Sequence, residues 1–404
     1  MNVGLVVQNN FPEAQEVRAR KIAESLSREG HDIDVFARNT ARNPHSEAVR
    51  DDPACEQLSY ATVRRFSWLF PGAMHELLTA PVPVNPFWTV WLTRQFRRAS
   101  IDVAVVGDIR LGIPTIAAAR IVDVPVVVDL RENYPEWARV LPRESLVDHF
   151  ALNPTMIGAI ERLVVRLADK AWVVVEERRQ ELLARGVPDE KLRVVSNTPA
   201  LDELEGNDDT ASFDWPGFTF GYLGMLDEFR NLQIAIEALA EAVTEEPDVR
   251  LVIGGEGPYR SALERRARTL GVAERVVFAG WIDPEDAAAF RRSWDVGLIP
   301  HEPNAFTDTT VPNKLFDYMA AGLPVLATDT APVARIVAEA DCGVTVPRPA
   351  TPSRFATAMC ELRRSAGTAE YGTNGRAAVR DTYNWKHESE VVSASLAELT
   401  ADRS

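Results

Sequence analysis

Short valine-rich runs alternate with helical segments along most of the chain, and no other feature restricts the fold as strongly. In the first half the strand-like runs are VGLVVQ, HDIDVFA, DVAVVG, VPVVVDL, KAWVVV and LRVVSN, all between residues 3 and 197. Apolar runs of this kind, separated by helices, are typical of parallel strands that are buried on both faces. The first half is therefore predicted to form a doubly wound α/β domain.

A second series of the same kind follows, from FTFGYLG at 218 through VRLVIGG, RVVFAG, DVGLIP and LPVLATD to CGVTV at 346. The stretch between the two series, residues 199–217, is acidic and turn-rich and has no apolar period, which indicates a linker. We therefore expect α/β domains at 1–200 and 218–375, joined by a linker at 201–217. Ligands of such sheets bind beyond the carboxyl ends of the strands, so a shared ligand is expected in a cleft between the domains.

Charge and residue usage exclude several classes of function. The formal net charge of -15 and the pI near 5.0 argue against a nucleic-acid partner, because the phosphate backbone would be repelled. The three cysteines are far apart and the six histidines show no ligand spacing, so neither disulfides nor a metal site is expected. Without a basic leader or a long uncharged run, the chain is predicted to be cytoplasmic.

The segment TTVPNKLFDYMAAGLPVLATD, residues 309–329, predicts a short helix between a turn and a buried strand. Pro312 suits the first turn, where its missing N–H would have no partner, and Gly322 provides the stop, so the helix is expected over 312–321. The first amide groups, near Asn313 to Leu315, are expected to be unpaired and to carry partial positive charge. Phosphate is the ligand that such a helix start favours.

Lys314 and Asp317 lie one turn apart on this helix. On position alone, a surface ion pair worth under about 1 kcal/mol explains them as well as a ligand site does. The segments 221–231 (GYLGMLDEFRN), 251–281 (beginning LVIGGEGPYR) and 295–304 (DVGLIPHEPN) precede the helix in this order. The presence of these three segments before the helix favours a ligand site at Lys314 and Asp317.

These motifs resemble those of glycosyltransferase family 4, the retaining enzymes of GT-B fold that use nucleotide-sugar donors. The resemblance extends from VGLVVQNNFPEAQEVRAR through DLRENYPEW to TYNWKHESEV, and PNKLFDYMAAGLPV matches the form common in surface-polysaccharide and glycoprotein-glycan enzymes. It implies two Rossmann-like domains facing a central cleft, with the donor on the second domain and the acceptor on the first. It also implies a C-terminal helix at 376–404 that packs back on the first domain, and transfer without a metal or cofactor.

The resemblance assigns roles to individual residues of the second domain. Asp317 takes the place of the second carboxylate of the family's Glu-x7-Glu motif, which hydrogen-bonds the ribose. Thr309 takes the place of the first, which holds the donor sugar, and that role would pass to a hydroxyl or to Asp308. Arg230 is the second cation of a pair that clamps the diphosphate, with a solvated arginine as the alternative. Met225 replaces the first cation and is expected to pack in the core, and Lys314 is its expected substitute. The expected catalytic group is Arg230, Lys314 and Asp317, and the expected donor-binding residues are Gly224, Gly255, Gly257, Gly280, Thr309, Asn313 and Leu315.

Four polar residues of the first domain are candidates for contact with the acceptor or the sugar. Asp108 follows the run VAVVG, and Arg131 and Glu132 follow VVVD, so all three lie at carboxyl ends of strands. Arg18 follows the loop after the first strand. The alternatives are ordinary loop polarity for the first three and a solvated helix residue for Arg18.

Residues 66–100 combine aromatic and basic side chains in two ways that the sequence leaves open. The aromatic residues are Trp68, Phe70, Phe87, Trp88, Trp91 and Phe96, beside Arg94, Arg97 and Arg98. An aromatic and basic edge suits peripheral contact with a membrane, where a polyprenyl-linked acceptor would be met. A buried helical stripe of Trp88, Trp91, Leu92 and Phe96 explains the same residues as core.

The resemblance predicts a glycosyltransferase of polysaccharide biosynthesis or protein glycosylation, with a nucleotide-sugar donor and a glycan, lipid-linked or glycoprotein acceptor. Two alternatives remain. One is a sugar-nucleotide epimerase of similar fold, which would need no acceptor. The other is a donor-binding or scaffold subunit that has lost catalysis, which the uncharged Thr309 and Met225 make plausible.

Overall fold

The computed structural model describes residues 1–12, 16–39, 55–67, 75, 78–141, 143, 152–200, 213–365 and 367–401. They form two compact units, one of residues 1–196 together with the C-terminal residues from 388, and one of residues 197–387. Of the predicted linker, residues 201–212 lie outside the described part of the chain.

The first unit is built on an eight-stranded sheet. In chain order its strands are β1 (Asn2–Val6), β2 (Asp32–Arg38), β3 (Cys55–Gln57), β4 (Thr62–Phe66), β5 (Val103–Val106), β6 (Val126–Leu130), β7 (Lys170–Val173) and β8 (Leu192–Val194). The order across the sheet is β3-β4-β2-β1-β5-β6-β7-β8, and the strands are parallel except for the antiparallel pair β3 and β4. Every residue of β5 and β6 is buried, as the valine-rich runs predict.

Helices cover this first sheet. They are α1 (Val17–Arg28), α2 (Pro86–Arg98), α3 (Ile109–Ile121), α4 (Tyr134–Val140), α5 (Pro154–Leu167) and α6 (Glu176–Ala184). Trp88, Leu92 and Phe96 of α2 are fully buried in the core of this unit. The core interpretation of the aromatic stripe is therefore correct for these three residues, whereas Trp68 and Phe70 lie outside the described residues.

The second unit contains six parallel strands. They are β9 (Phe218–Leu223), β10 (Val249–Gly254), β11 (Val276–Gly280), β12 (Val296–Ile299), β13 (Val325–Thr328) and β14 (Gly343–Val346), in the order β11-β10-β9-β12-β13-β14. The helices are α7 (Leu232–Ala242), α8 (Arg260–Thr269), α9 (Ala287–Arg292), α10 (Asn313–Ala321), α11 (Ala331–Ala340), α12 (Pro352–Arg364) and α13 (Thr368–Asp381). The order reverses between β9 and β12, as in doubly wound nucleotide-binding folds. Both units thus confirm the predicted α/β class.

The last helix, α14 (Trp385–Ala401), packs largely on the first sheet. The indole N–H of Trp172 donates to Ser395 at 3.0 Å, and Glu388 accepts from the amide of Ser196 at 2.7 Å. The returning segment begins later than the predicted residue 376. Arg376 donates to the carbonyl of Ala321 at 3.0 Å, and this contact ties its part of α13 to the second unit.

Candidate functional site

Two of the predicted ligand residues of the second unit, Arg230 and Lys314, lie near the carboxyl ends of β9 and β12, where the strand order reverses. Crevices at such points bind ligands in doubly wound sheets because neighbouring loops diverge there. The loop after β9 leads to Arg230, the loop after β12 begins with Pro300 and His301, and α10 carries Lys314.

Several of the predicted glycines lie in the loops at this edge of the sheet. Gly255 has φ +117°, and a Cβ on it would lie 2.0 Å from the carbonyl oxygen of Gly224, so only glycine fits. A Cβ on Gly257 would lie 2.4 Å from the carbonyl oxygen of Leu226. The amide of Gly255 donates to the carbonyl of Gly280 at 2.6 Å. These glycines therefore let three loops pack closely against one another.

The side chain of Lys314 lies close to one of these glycines, Gly224. Its Nζ is 3.5 Å from the position that a Cβ on Gly224 would take, and 4.9 Å from the ring centroid of Tyr222. Burial, and then the nearby charge of Arg230, lower the pKa of Lys314 to about 7, although Asp317 acts in the opposite direction. An ammonium in this position is held at an energetic cost that a bound anion would remove.

Arg230 ends the short helical turn Glu228–Arg230, directly after β9. Its guanidinium carbon is 4.6 Å from the centroid of the Phe229 ring, and its Nη1 is 3.4 Å from Nε2 of His301. Within the described residues, the buried Nε of Arg230 has no hydrogen-bond partner. The carboxyl edge of the sheet thus carries two cations, Arg230 and Lys314, near enough for the charge of Arg230 to act on Lys314.

His301 is part of this group, and the sequence analysis missed it. It is 4% exposed, and burial followed by the charges of Lys314 and Arg230 lowers its pKa well below the usual value. The available signal was a polar residue directly after a buried strand, at the point where the strand order reverses.

The helix α10 begins one residue later than predicted and ends at Gly322 in the left-handed conformation, φ 73°, as predicted. Its N-cap residue is Pro312, which makes no side-chain capping hydrogen bond. The expectation of three unpaired amide groups is wrong for Leu315, whose N–H donates to the carbonyl of Pro312 at 3.0 Å. Leu315 is also fully buried in the core, whereas Asn313 is exposed, so a ligand at this helix start would meet Asn313 and Lys314 instead.

Asp317 is half-buried, and its Oδ2 lies 3.7 Å from Nη1 of Arg291. Thr309 uses its hydroxyl locally, because Oγ1 donates to the carbonyl of Ala305 at 2.7 Å. Its neighbour Asp308 pairs with Arg348 and accepts from the amide at the start of α11. The side chains at the first motif position are thus engaged within the protein.

Met225 is 61% exposed, so the prediction that it packs in the core is wrong. The following residue, Leu226, is fully buried and fills the core position of this loop. Met225 contributes its carbonyl oxygen, which accepts from the hydroxyl of Tyr222 at 3.0 Å.

In the first unit, Arg18 lies in a buried ion pair, which differs both from the predicted contact with acceptor or sugar and from a solvated helix residue. Its Nε and Nη2 each lie 2.8 Å from the carboxylate of Asp129, and Nη2 also donates to the carbonyl of Val195 at 2.9 Å. Both side chains of the ion pair are almost fully buried. Arg18 therefore joins α1 to the carboxyl ends of β6 and β8.

Asp108 is also a structural residue rather than a free ligand group. Its carboxylate caps α3 by accepting from the amide of Arg110 at 2.7 Å, and it pairs with the Arg110 side chain. It is 4% exposed. This capping role differs from the predicted contact with acceptor or sugar.

Arg131 lies at the carboxyl end of β6, partly exposed, and donates to Glu16 at 2.7 Å. A Cβ on Gly107 would lie 2.3 Å from its Nη2, so Arg131 packs across the end of β5 as well. The neighbouring Glu132 is partly exposed. The predicted contact of Arg131 and Glu132 with acceptor or sugar remains a prediction.

Two kinds of feature are absent from the described ranges. No three His, Cys, Asp or Glu side chains there are grouped so as to hold a metal ion. Among the same residues, no helix combines the length and apolar character needed to cross a membrane.

Two family profiles match the chain. One, described as Glycosyl transferases group 1, matches residues 217–365, and the other, described as Glycosyl transferase 4-like domain, matches residues 14–198. The alpha-monoglucosyldiacylglycerol synthase of Streptococcus pneumoniae is 22% identical over 343 residues, which cover 81% of this chain and 71% of that protein.

Solved structures of other proteins share this fold. Sucrose-phosphate synthase from Thermosynechococcus elongatus has a TM-score of 0.75 at 18% identity and covers 100% of both chains. HepE from Anabaena, in complex with UDP-glucose, has a TM-score of 0.70 at 16% identity and covers 98% of this chain and 100% of its own.

The two profiles match in the same order as the two α/β units, and the site residues lie in the part that matches the Glycosyl transferases group 1 profile. The solved structures extend this agreement to both units. The chain therefore belongs to glycosyltransferase family 4, has the GT-B fold, and is an enzyme that transfers a sugar from a nucleotide-sugar donor.

Proposed function

We propose that the protein transfers a sugar with retention at the anomeric carbon, from a nucleoside-diphosphate sugar to a glycan, glycoprotein or lipid-linked acceptor, without a metal or other cofactor. One observation carries the proposal: the cations Arg230 and Lys314 lie near each other at the carboxyl ends of β9 and β12, where burial first, and then the charge of Arg230, lower the pKa of Lys314 to about 7. Two neighbouring cations that are partly buried repel each other, and a diphosphate removes that repulsion.

The same arrangement supports the chemistry. When the bond between sugar and phosphate breaks, negative charge develops on the leaving diphosphate, and fixed donors that face this charge lower the barrier. Arg230 offers a guanidinium that binds two phosphate oxygens, Lys314 a point charge, and the uncapped start of α10 further N–H groups. In a same-face displacement the donor phosphate takes the acceptor proton, so no separate general base is required.

The donor is testable with a panel of nucleotides. We expect one of UDP, UDP-glucose, GDP and GDP-mannose to raise the midpoint of thermal unfolding, because a ligand of the native state stabilises it. The HepE structure, which holds UDP-glucose, makes the uridine nucleotides the first choice. The measurement is thermal unfolding with each compound, with the matching nucleoside as the control that lacks the diphosphate. A shift as large with the nucleoside would contradict a diphosphate site.

Turnover separates this function from its alternatives. A transferase releases nucleoside diphosphate in an acceptor-dependent way, an epimerase changes the donor sugar without an acceptor, and an inactive subunit binds the donor but releases nothing from it. The Thr309 hydroxyl donates a hydrogen bond within the protein, and Asp308 forms an ion pair with Arg348. We therefore assign neither residue the role of a base in these reactions.

We further propose that the outer face of α2 contacts an anionic membrane, where a lipid-linked acceptor would be met. Phe87, Val90, Arg94 and Arg97 are exposed at helical spacing, and Val84 in the preceding loop is 82% exposed. Apolar residues beside arginines suit insertion between anionic headgroups. A local basic face is needed because the chain as a whole is acidic, with a net charge of -15.

Vesicle binding tests this contact. We expect the protein to sediment with vesicles that contain phosphatidylglycerol and much less with phosphatidylcholine vesicles, and we expect Phe87→Ser with Val90→Ser to weaken binding about tenfold or more. The matched control is Ile121→Ser, which removes an exposed apolar side chain from α3. Equal losses in both variants would remove the assignment to α2.

A further inference from the structure

We propose that His301 is a positioning residue, which holds the guanidinium of Arg230 in the orientation that binds the donor diphosphate. The inference rests on the proposed function, because it assigns His301 a part in the same site. His301 is the second residue after β12, in the segment DVGLIPHEPN, and the sequence analysis assigned it no role of its own.

The contact joins the two sides of the point where the strand order reverses. Arg230 follows β9 and His301 follows β12, and Nη1 of the arginine lies 3.4 Å from Nε2 of the histidine. The imidazole is 4% exposed, and the hydroxyl of Thr328 donates to the His301 carbonyl, so ring and backbone are both fixed. A close-packed ring of this kind cannot follow the arginine to another position.

The chemistry of the arginine fixes the direction of the hydrogen bond between Arg230 and His301. A guanidinium has only N–H donors, so Nε2 of His301 must accept, with the ring proton on Nδ1. Burial and the two neighbouring cations, Lys314 and Arg230, keep the pKa of His301 low and its ring neutral. A neutral acceptor orients Arg230 without cancelling its charge, whereas a carboxylate in this position would compete with the diphosphate.

Two neighbours account for one face and one nitrogen of the Arg230 guanidinium. Phe229 lies against one face of it at 4.6 Å, and His301 occupies Nη1. The buried Nε has no partner among the described residues, which is costly unless a ligand supplies an acceptor. The edge formed by Nε and Nη2 is the one that binds two phosphate oxygens at once.

Two substitutions separate positioning from packing. His301→Leu keeps an apolar side chain of similar bulk and removes the acceptor, and His301→Gln places an amide oxygen near the position of Nε2. We expect His301→Leu to lower kcat/KM about tenfold, and His301→Gln to recover most of that loss. The readouts are kcat and KM for transfer, and the Kd of UDP and GDP by calorimetry. The matched control is His387→Leu, an exposed histidine whose Nε2 lies 3.0 Å from the carbonyl oxygen of Asp381.

A double-mutant cycle with Arg230→Met tests whether His301 affects activity through Arg230. If His301 acts through the arginine, His301→Leu costs nothing further once Arg230 is gone. An equal loss with and without Arg230, or equal losses in the leucine and glutamine variants, would overturn the positioning role, as would full activity of His301→Leu. A wild-type protein that binds no nucleotide and transfers no sugar would overturn the proposed function as well, which is a distinct result.

Discussion

Lys314→Met is expected to lower kcat/KM for sugar transfer by about a hundredfold or more, and to raise the stability of the protein near neutral pH. The loss of activity follows from removing a fixed cation that faces the developing charge. The gain in stability follows because burial and Arg230 oppose the charged form of Lys314, and methionine fills a similar volume without a charge. The measurements are steady-state kinetics and thermal unfolding of both proteins.

The sign of the pH dependence follows from the direction of the shift. The pKa of Lys314 falls from 10.5 in the unfolded chain to about 7 in the folded one. Between these values the unfolded state binds more protons, so this residue makes the protein more stable as the pH rises through the window. The stability advantage of Lys314→Met is therefore largest near pH 7 and below, and it disappears toward pH 10.5.

Binding of the diphosphate should show the opposite trend. A diphosphate prefers the protonated lysine, so above the pKa of about 7 binding takes up a proton and the affinity falls as the pH rises. The methionine variant should lack this dependence. A conserved kcat/KM in Lys314→Met, or an identical pH dependence of UDP affinity in both proteins, would contradict the assignment of Lys314 to the diphosphate.

The fold was predictable wherever one local signal decided the outcome. Valine-rich runs gave the buried parallel strands, and the conformational freedom of Gly322 gave the end of α10. The antiparallel pair β3 and β4 was not predicted, because CEQ and TVRRF are short and polar and do not read as strands. These two strands depend on β2, because β4 pairs with β2 in parallel.

The site was predictable only as far as position along the chain fixes position in space. The carboxyl ends of parallel strands lie at one edge, and this placed Arg230, Lys314 and the glycines together. It did not say which way a side chain points: Met225 is exposed while Leu226 is buried. His301 was missed because its role depends on a contact with Arg230, which the sequence places far away.

Arg18→Met is expected to destabilise the first unit by about 3–5 kcal/mol, because it leaves the Asp129 carboxylate buried without its main partner. The ion pair has two contacts of 2.8 Å, and Arg18 also donates to the carbonyls of Val195 and Ser196. Arg131, whose Nε is 3.5 Å from Asp129, offsets part of the loss, so the lower end of the range is the better expectation. The measurement is urea unfolding followed by a probe in the first unit.

Two further variants test whether Arg18 stabilises the fold or binds a ligand. Arg20→Met, on the same helix but exposed and 4.0 Å from Glu24, should change the free energy of unfolding by less than about 0.5 kcal/mol. Removing both partners in Arg18→Met with Asp129→Leu should restore part of the stability, because no uncompensated charge remains. If Arg18→Met instead unfolded like the Arg20 control and lost only activity, Arg18 would be a ligand residue, as its place in the sequence suggested. The buried, bidentate geometry predicts the reverse: a large loss of stability that the second substitution relieves.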